Sequence, residues 1–106
     1  MRHSRNPDEE DPEEPPPEVD LHGRRPEDAL RHLARELHGA RLRRIGEVLV
    51  ITGQGFGNAL HKPILRGMVE KWLLGPDGAR LGVVGFERTS RGGALLVRLA
   101  GSGAGG

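Results

Sequence analysis

The stretch Glu47-Val48-Leu49-Val50-Ile51-Thr52 constrains this chain more than any other. A continuous β-branched, apolar run marks a strand buried on both faces, not one alternating between core and water. Such a strand needs cover, and the flanking sequence supplies it. Upstream, Ala29, Leu30, Leu33, Leu37 and Ala40 recur at helical spacing. Pro26 suits the first turn of that helix, Glu27 and Asp28 suit its positive end, and Arg41, Arg43 and Arg44 suit its negative end. Gly39 falls inside the pattern and weakens the last turn. Downstream, Leu60, Ile64, Leu65, Met68, Val69, Trp72 and Leu73 form a second apolar stripe. That helix begins between Asn58 and Pro63, and Gly75-Pro76 stops it.

Three further strands complete the pattern. Val19-Asp20-Leu21-His22 precedes the first helix and is ended by Gly23. Val83 to Glu87 and Ala94 to Leu99 flank Thr89-Ser90-Arg91-Gly92-Gly93, a hairpin-like turn that makes them antiparallel. The order is βαβαββ. Helix-linked strands followed by a hairpin predict an α/β fold of two layers, a mixed four-stranded sheet with two helices packed against it.

With 106 residues the chain holds one domain. Its ends differ in kind from its centre. Residues 1–18 carry two arginines against seven carboxylates, a net −5, with five of the eight prolines. They hold too little apolar surface to offset chain entropy and are expected to be disordered. Residues 101–106, Gly-Ser-Gly-Ala-Gly-Gly, read as a flexible tail. The remainder, residues 19–100, is the domain; from residue 19 onward the net charge is +6. A basic surface favours polyanionic partners, and the acidic segment is expected to compete with phosphates for it. No cysteine is present, which removes disulfides, thiolate metal sites and cysteine nucleophiles. No apolar run reaches the length of a membrane span and no signal peptide opens the chain, so the expected compartment is the cytoplasm. Phe56, Trp72 and Phe86 are the only aromatics, too few for a base-stacking platform.

Two segments carry the chemistry. Side chains two apart in a strand share a face, so Asp20 and His22 stand together while Leu21 turns to the core. The second segment, Thr52-Gly53-Gln54-Gly55, joins the buried strand to the second helix. Both lie at the C-terminal ends of strands expected to be parallel, where open α/β sheets bind ligands. Glycines there let backbone N–H groups approach an anion. The Gly-x-Gly lacks the third glycine of a dinucleotide fingerprint and the Gly-Lys-Ser/Thr of a P-loop, so nothing points to NAD or ATP.

Asp20-Leu21-His22-Gly23 and Val50-Ile51-Thr52-Gly53-Gln54-Gly55, separated by one helix, resemble the Smr (small MutS-related) domain. The resemblance extends through Lys62-Pro63-Ile64-Leu65, Val69-Glu70-Lys71-Trp72-Leu73 and Gly92-Gly93-Ala94-Leu95-Leu96-Val97, and spans nearly all of residues 19–100. It implies a βαβαββ sandwich like the C-terminal domain of a bacterial translation initiation factor. It also implies nucleic-acid binding, with endonuclease activity on DNA or RNA in many members. The family's Asp-x-His falls on Asp20 and His22, and its glycine loop on Gly53 and Gly55. Many bacterial members carry a histidine where this chain has Thr52; a Thr-Gly-x-Gly version also occurs. The loop often carries Lys or Arg where this chain has Gln54.

A phosphodiester-cleaving site needs a base, positive charge for the phosphorane and a proton for the leaving oxygen. His22 is the expected base, because imidazole exchanges protons near neutral pH. Asp20 orients it or holds a divalent metal, Mg or Mn. The backbone of Thr52, Gly53, Gln54 and Gly55, ahead of the second helix, is expected to hold a phosphate. Arg24, Arg25, His61, Lys62 and Arg91 are the candidate phosphate contacts. The expected protein is a monomeric nucleic-acid-binding domain with endonuclease activity; the alternative is a non-catalytic DNA- or RNA-binding or adaptor module.

Overall fold

The computed structural model describes residues 15–53, 64–89 and 92–100. Four strands form one mixed sheet: β1 (Glu18–Asp20), β2 (Glu47–Ile51), β3 (Val83–Arg88) and β4 (Ala94–Leu99). Their spatial order is β1-β2-β4-β3. β1 runs parallel to β2, with Asp20 opposite Ile51, while β2–β4 and β4–β3 are antiparallel. Two long helices, α1 (Pro26–Leu42) and α2 (Ile64–Leu74), supply the second layer, and a short third helix, α3 (Pro76–Arg80), follows α2. The βαβαββ order and the mixed sheet agree with the expectation from sequence.

The core lies between the layers. Val19, Leu21, Val48, Val50, Leu95, Val97 and Leu99 from the sheet meet Ala29, Leu33, Leu37, Ala40, Val69 and Leu73 from the helices. Only this face of β2 is closed. Leu49 and Ile51, expected to be buried as well, are half-exposed on the far side. A two-layer fold covers a sheet once, and β-branched residues serve a half-wet face as readily as a dry one.

Several boundaries moved for local reasons. The Pro17 carbonyl accepts the Leu49 N–H (2.8 Å), and β1 opens at Glu18, ahead of the boundary expected after that residue. Residues 1–14 and 101–106, expected to be disordered and flexible tails, lie outside the described residues. Gly39 does not end α1, which runs on to Leu42. Pro76 stops α2 as expected but also opens α3, since its fixed φ suits a first helical position. Gly78 in α3 packs so closely that a Cβ there would stand 2.0 Å from the Leu73 carbonyl oxygen. On α2, Val69 and Leu73 are buried, whereas Ile64 and Met68, expected within the apolar stripe, are exposed. Leu60 lies outside the described residues. Among the described residues, no helix is long and apolar enough to cross a membrane.

A charged cluster ties α2 to the sheet. Glu70 accepts two hydrogen bonds from Arg88 of β3, Nε to Oε2 at 2.7 Å and NH2 to Oε1 at 3.0 Å. Arg66, one turn back on α2, stands 3.7 Å from the same carboxylate. The Arg88 hydrogen bonds hold the Glu70 carboxyl below its ordinary pKa, with the charges of Arg88 and Arg66 assisting and burial opposing. A carboxylate lowered on folding stabilises above its unfolded pKa of about 4.3 and loses that stabilisation as pH falls through its lower folded value. Glu70→Gln should therefore destabilise the domain by about 1–2 kcal/mol at pH 7, where the carboxylate facing two guanidiniums is replaced by a neutral amide. Thermal unfolding at pH 7 and pH 3 checks this: the variant's melting temperature should drop less between the two than the wild type's.

Candidate active site

The register brings three segments to one end of the sheet. Asp20 pairs with Ile51, and Ile51 with Ala94, so the ends of β1 and β2 meet the turn that opens β4. Leu21 N–H bonds the Ile51 carbonyl at 2.7 Å, and Arg24 N–H closes a turn on the Leu21 carbonyl at 3.1 Å. Gly23 occupies the third position of that turn with φ 79°, a conformation that favours glycine. Leu21 is fully buried, which fixes the faces of its two neighbours.

Strand pairing stops at Asp20, yet Asp20 and His22 come together as expected. Asp20 Oδ1 accepts the His22 backbone N–H at 3.1 Å and meets His22 Nδ1 at 2.6 Å. An ionised carboxylate only accepts, so Nδ1 carries the proton and Nε2 of the neutral ring keeps a lone pair. Both side chains are more than half exposed. The His22 side-chain hydrogen bond, then its backbone N–H, holds the Asp20 carboxyl below the usual range; the charges of His22 and Arg24 add to this.

The second segment is folded onto the first. Thr52 and Gly53 both donate their backbone N–H to the Gly93 carbonyl, each at 3.0 Å. Thr52, expected among the nucleic-acid contacts, is buried instead, and its hydroxyl bonds the Gly53 carbonyl at 3.4 Å. Its side chain continues the inward series of Val48 and Val50, so it seats the loop and presents no surface to a ligand. Gly53 has φ 85°, and a Cβ there would lie 3.3 Å from His22 Cβ. The two motifs, far apart in sequence, thus stand so close that a side chain larger than glycine's at Gly53 would press on His22.

Arg24 and Arg25 flank the turn and are exposed. Arg24 is near enough for its charge to act on Asp20, and Arg25 precedes α1, its carbonyl accepting the Ala29 N–H at 2.8 Å. Gln54, Gly55, His61, Lys62 and Arg91 lie outside the described residues. The sequence did not single out Arg66. Its NH1 donates to the Gly92 carbonyl at 2.9 Å, holding the turn whose next carbonyl receives Thr52 and Gly53. The available signal was its i,i+4 spacing from Glu70 on a largely apolar helix. Asp20 and His22 supply two potential metal donors. Among the described residues, no cluster of three such groups occurs.

The lack of room for a Cβ at Gly53 beside His22 gives a specific expectation. Gly53→Ala places a side chain in the left-handed region, costing about 1–2 kcal/mol, and pushes on His22. Thermal unfolding should show the loss, and the NMR signal of His22 Nδ1–H should broaden or vanish as its bond to Asp20 loosens. An alanine variant retaining both would contradict the arrangement.

Known proteins give the same outline. The sequence model of the Smr domain family matches residues 19–100. The crystal structure of the Smr domain of Thermus thermophilus MutS2 is similar to this chain with a TM-score of 0.65 and 25% sequence identity, covering 80% of this chain and 99% of that one. A comparison with curated proteins finds no match. The match spans both strand-end motifs, the two long helices and the closing hairpin, and by it this chain belongs to the Smr domain family.

Proposed function

We propose that this domain binds nucleic acid and cleaves its phosphodiester backbone with His22 as general base. The observation that carries the reading is the 2.6 Å contact between Asp20 Oδ1 and His22 Nδ1, which leaves Nε2 as the free nitrogen of a largely exposed ring. Membership of a family that includes many nucleases supports it. Nε2 takes the proton of the attacking oxygen, a water or a ribose 2′-OH, as that oxygen bonds phosphorus. Asp20 holds the tautomer and stabilises the imidazolium that forms. Arg24 supplies positive charge beside the pair; the N–H groups of Thr52 and Gly53, expected to hold the phosphate, are already given to the Gly93 carbonyl. When the P–O bond breaks, the imidazolium returns its proton to the leaving oxygen. A divalent Mg or Mn, if used, would take Asp20 as a ligand and supply charge neutralisation at the phosphate.

One observation favours the second reading, a binding or adaptor module without cleavage. Thr52 stands buried where many relatives carry a loop histidine, leaving His22 as the one imidazole at this end among the described residues.

Supercoiled plasmid and structured RNA, each incubated with the protein with and without EDTA, separate the readings. His22→Ala should lower single-turnover cleavage by about 10²- to 10⁴-fold, the size of general acid–base effects. Its melting temperature should stay near that of the wild type, because the exposed ring contributes little to the core. Asp20→Asn should slow the same step. A wild type that cuts neither substrate under any condition leaves the binding module standing.

The acidic N-terminal segment, at −5 against +6 for the rest, competes for the same phosphate-binding surface. Removing residues 1–16, which spares the Pro17 bond to Leu49, should tighten binding at low salt. Unchanged or weaker binding would remove the idea.

A further inference from the structure

Resting on the reading that this domain binds nucleic acid, we infer a second phosphate-binding patch at the C-terminal end of α1, remote from His22. The partner is the sugar-phosphate backbone of a nucleic-acid duplex long enough to touch both places. α1 begins just past the turn at His22 and carries the chain to the opposite end of the sheet, over 17 residues. At about 1.5 Å per residue that is a separation of about 25 Å. The last turns of α1 and the two residues beyond gather Arg35, His38, Arg41, Arg43 and Arg44, all exposed, against one exposed carboxylate, Glu36. Glu27 and Asp28 sit in the first turn, with Arg31 engaging Asp28 at 3.4 Å, so the surplus of cations is confined to the far end. Arg41 has structural work: its NH1 donates to the Arg80 carbonyl. Among the described residues, Arg35, Arg43 and Arg44 form no ion pair.

Backbone geometry sets Arg44 apart. Arg44 N–H bonds the Arg41 carbonyl at 3.0 Å and Ile45 N–H bonds the Ala40 carbonyl at 2.9 Å. This is the Schellman pattern, whose first residue past the cap adopts the left-handed conformation and is usually glycine. Arg44 occupies it at φ 60°, the one non-glycine with positive φ among the described residues. A fold that needed only to end its helix would gain from glycine here. Keeping arginine in a strained position is explained by what the guanidinium binds, and a cluster of exposed guanidiniums fits phosphate. The scarcity of aromatics points to duplex backbone and not to stacked single-strand bases.

The test measures binding by fluorescence anisotropy with two probes, a hairpin with a 6-base-pair stem and a 24-base-pair duplex, each made as DNA and as RNA. Spanning about 25 Å takes about seven steps of 3.4 Å along one strand, beyond the short stem. Arg43→Ala with Arg44→Gly should weaken the long duplex about tenfold at low salt and make its salt dependence shallower by about two units of log–log slope. The hairpin's affinity should not change. Arg44→Gly alone should raise the melting temperature by a few degrees while weakening the long duplex, opposite signs that a purely structural residue would not give. Long-duplex affinity and salt slope unaltered in the double variant, with the wild type still binding, would overturn the patch and leave the proposed function intact. A wild type that binds no probe would overturn both.

Discussion

At the end of the sheet that carries Asp20 and His22, one carbonyl decides the rest. Gly93 accepts the N–H groups of both Thr52 and Gly53, and this draws the chain leaving β2 back across the start of β4. That bend brings Gly53 so near His22 that a Cβ on it would stand 3.3 Å from His22 Cβ. Asp20 and His22 could pair through local geometry alone, because a carboxylate two residues upstream can cap its neighbour's N–H. Placing the pair beside a glycine-rich loop is a long-range event. It requires β1, β2 and β4 in one register, and that register follows from the buried series Val19, Val50 and Leu95.

The helix layer secures the same turn from behind. Arg66 holds the Gly92 carbonyl, and its helix is anchored one turn on by the Glu70–Arg88 pair. In a domain with a small apolar core, a mostly buried carboxylate survives only because two guanidiniums surround it. The cluster therefore does two jobs: it joins α2 to β3, and through Arg66 it fixes the backbone beside the site. Electrostatics here organise geometry more than they add stability.

Much of this was legible before any coordinates. The period of two in Val19-Asp20-Leu21-His22 placed Leu21 inside and the two polar side chains together, because alternation is a property of the extended chain itself. Helical spacing found α1, and the β-branched run found β2. The sequence was silent where outcomes depended on distant partners. An arginine on a helix reads as solvent-exposed, so Arg66 gave little warning of its bond to Gly92. Thr52 belongs by sequence both to the end of the strand run and to the start of the glycine loop, and nothing local decides that its side chain follows the inward series of Val48 and Val50. Ile64 and Met68 read as core since apolar spacing defines a stripe wider than the seam α2 has to fill. Gly75-Pro76 signals a stop, and the same proline's fixed φ also lets it start a helix, which only the packing of Gly78 against Leu73 decides.

β1 is an edge strand of three residues, paired on one side only, and it carries Asp20. Its attachment amounts to a handful of bonds to β2 and the burial of Val19 and Leu21, far less than holds β2 or β4. Proteins open from such margins first, at a free-energy cost well below that of unfolding the whole domain. The Asp20–His22 pair thus rides on a segment held by fewer bonds than the central strands, so it loosens with local opening of β1 before the core melts. Two buried side chains, Val19 and Leu21, stand between an intact pair and a frayed one.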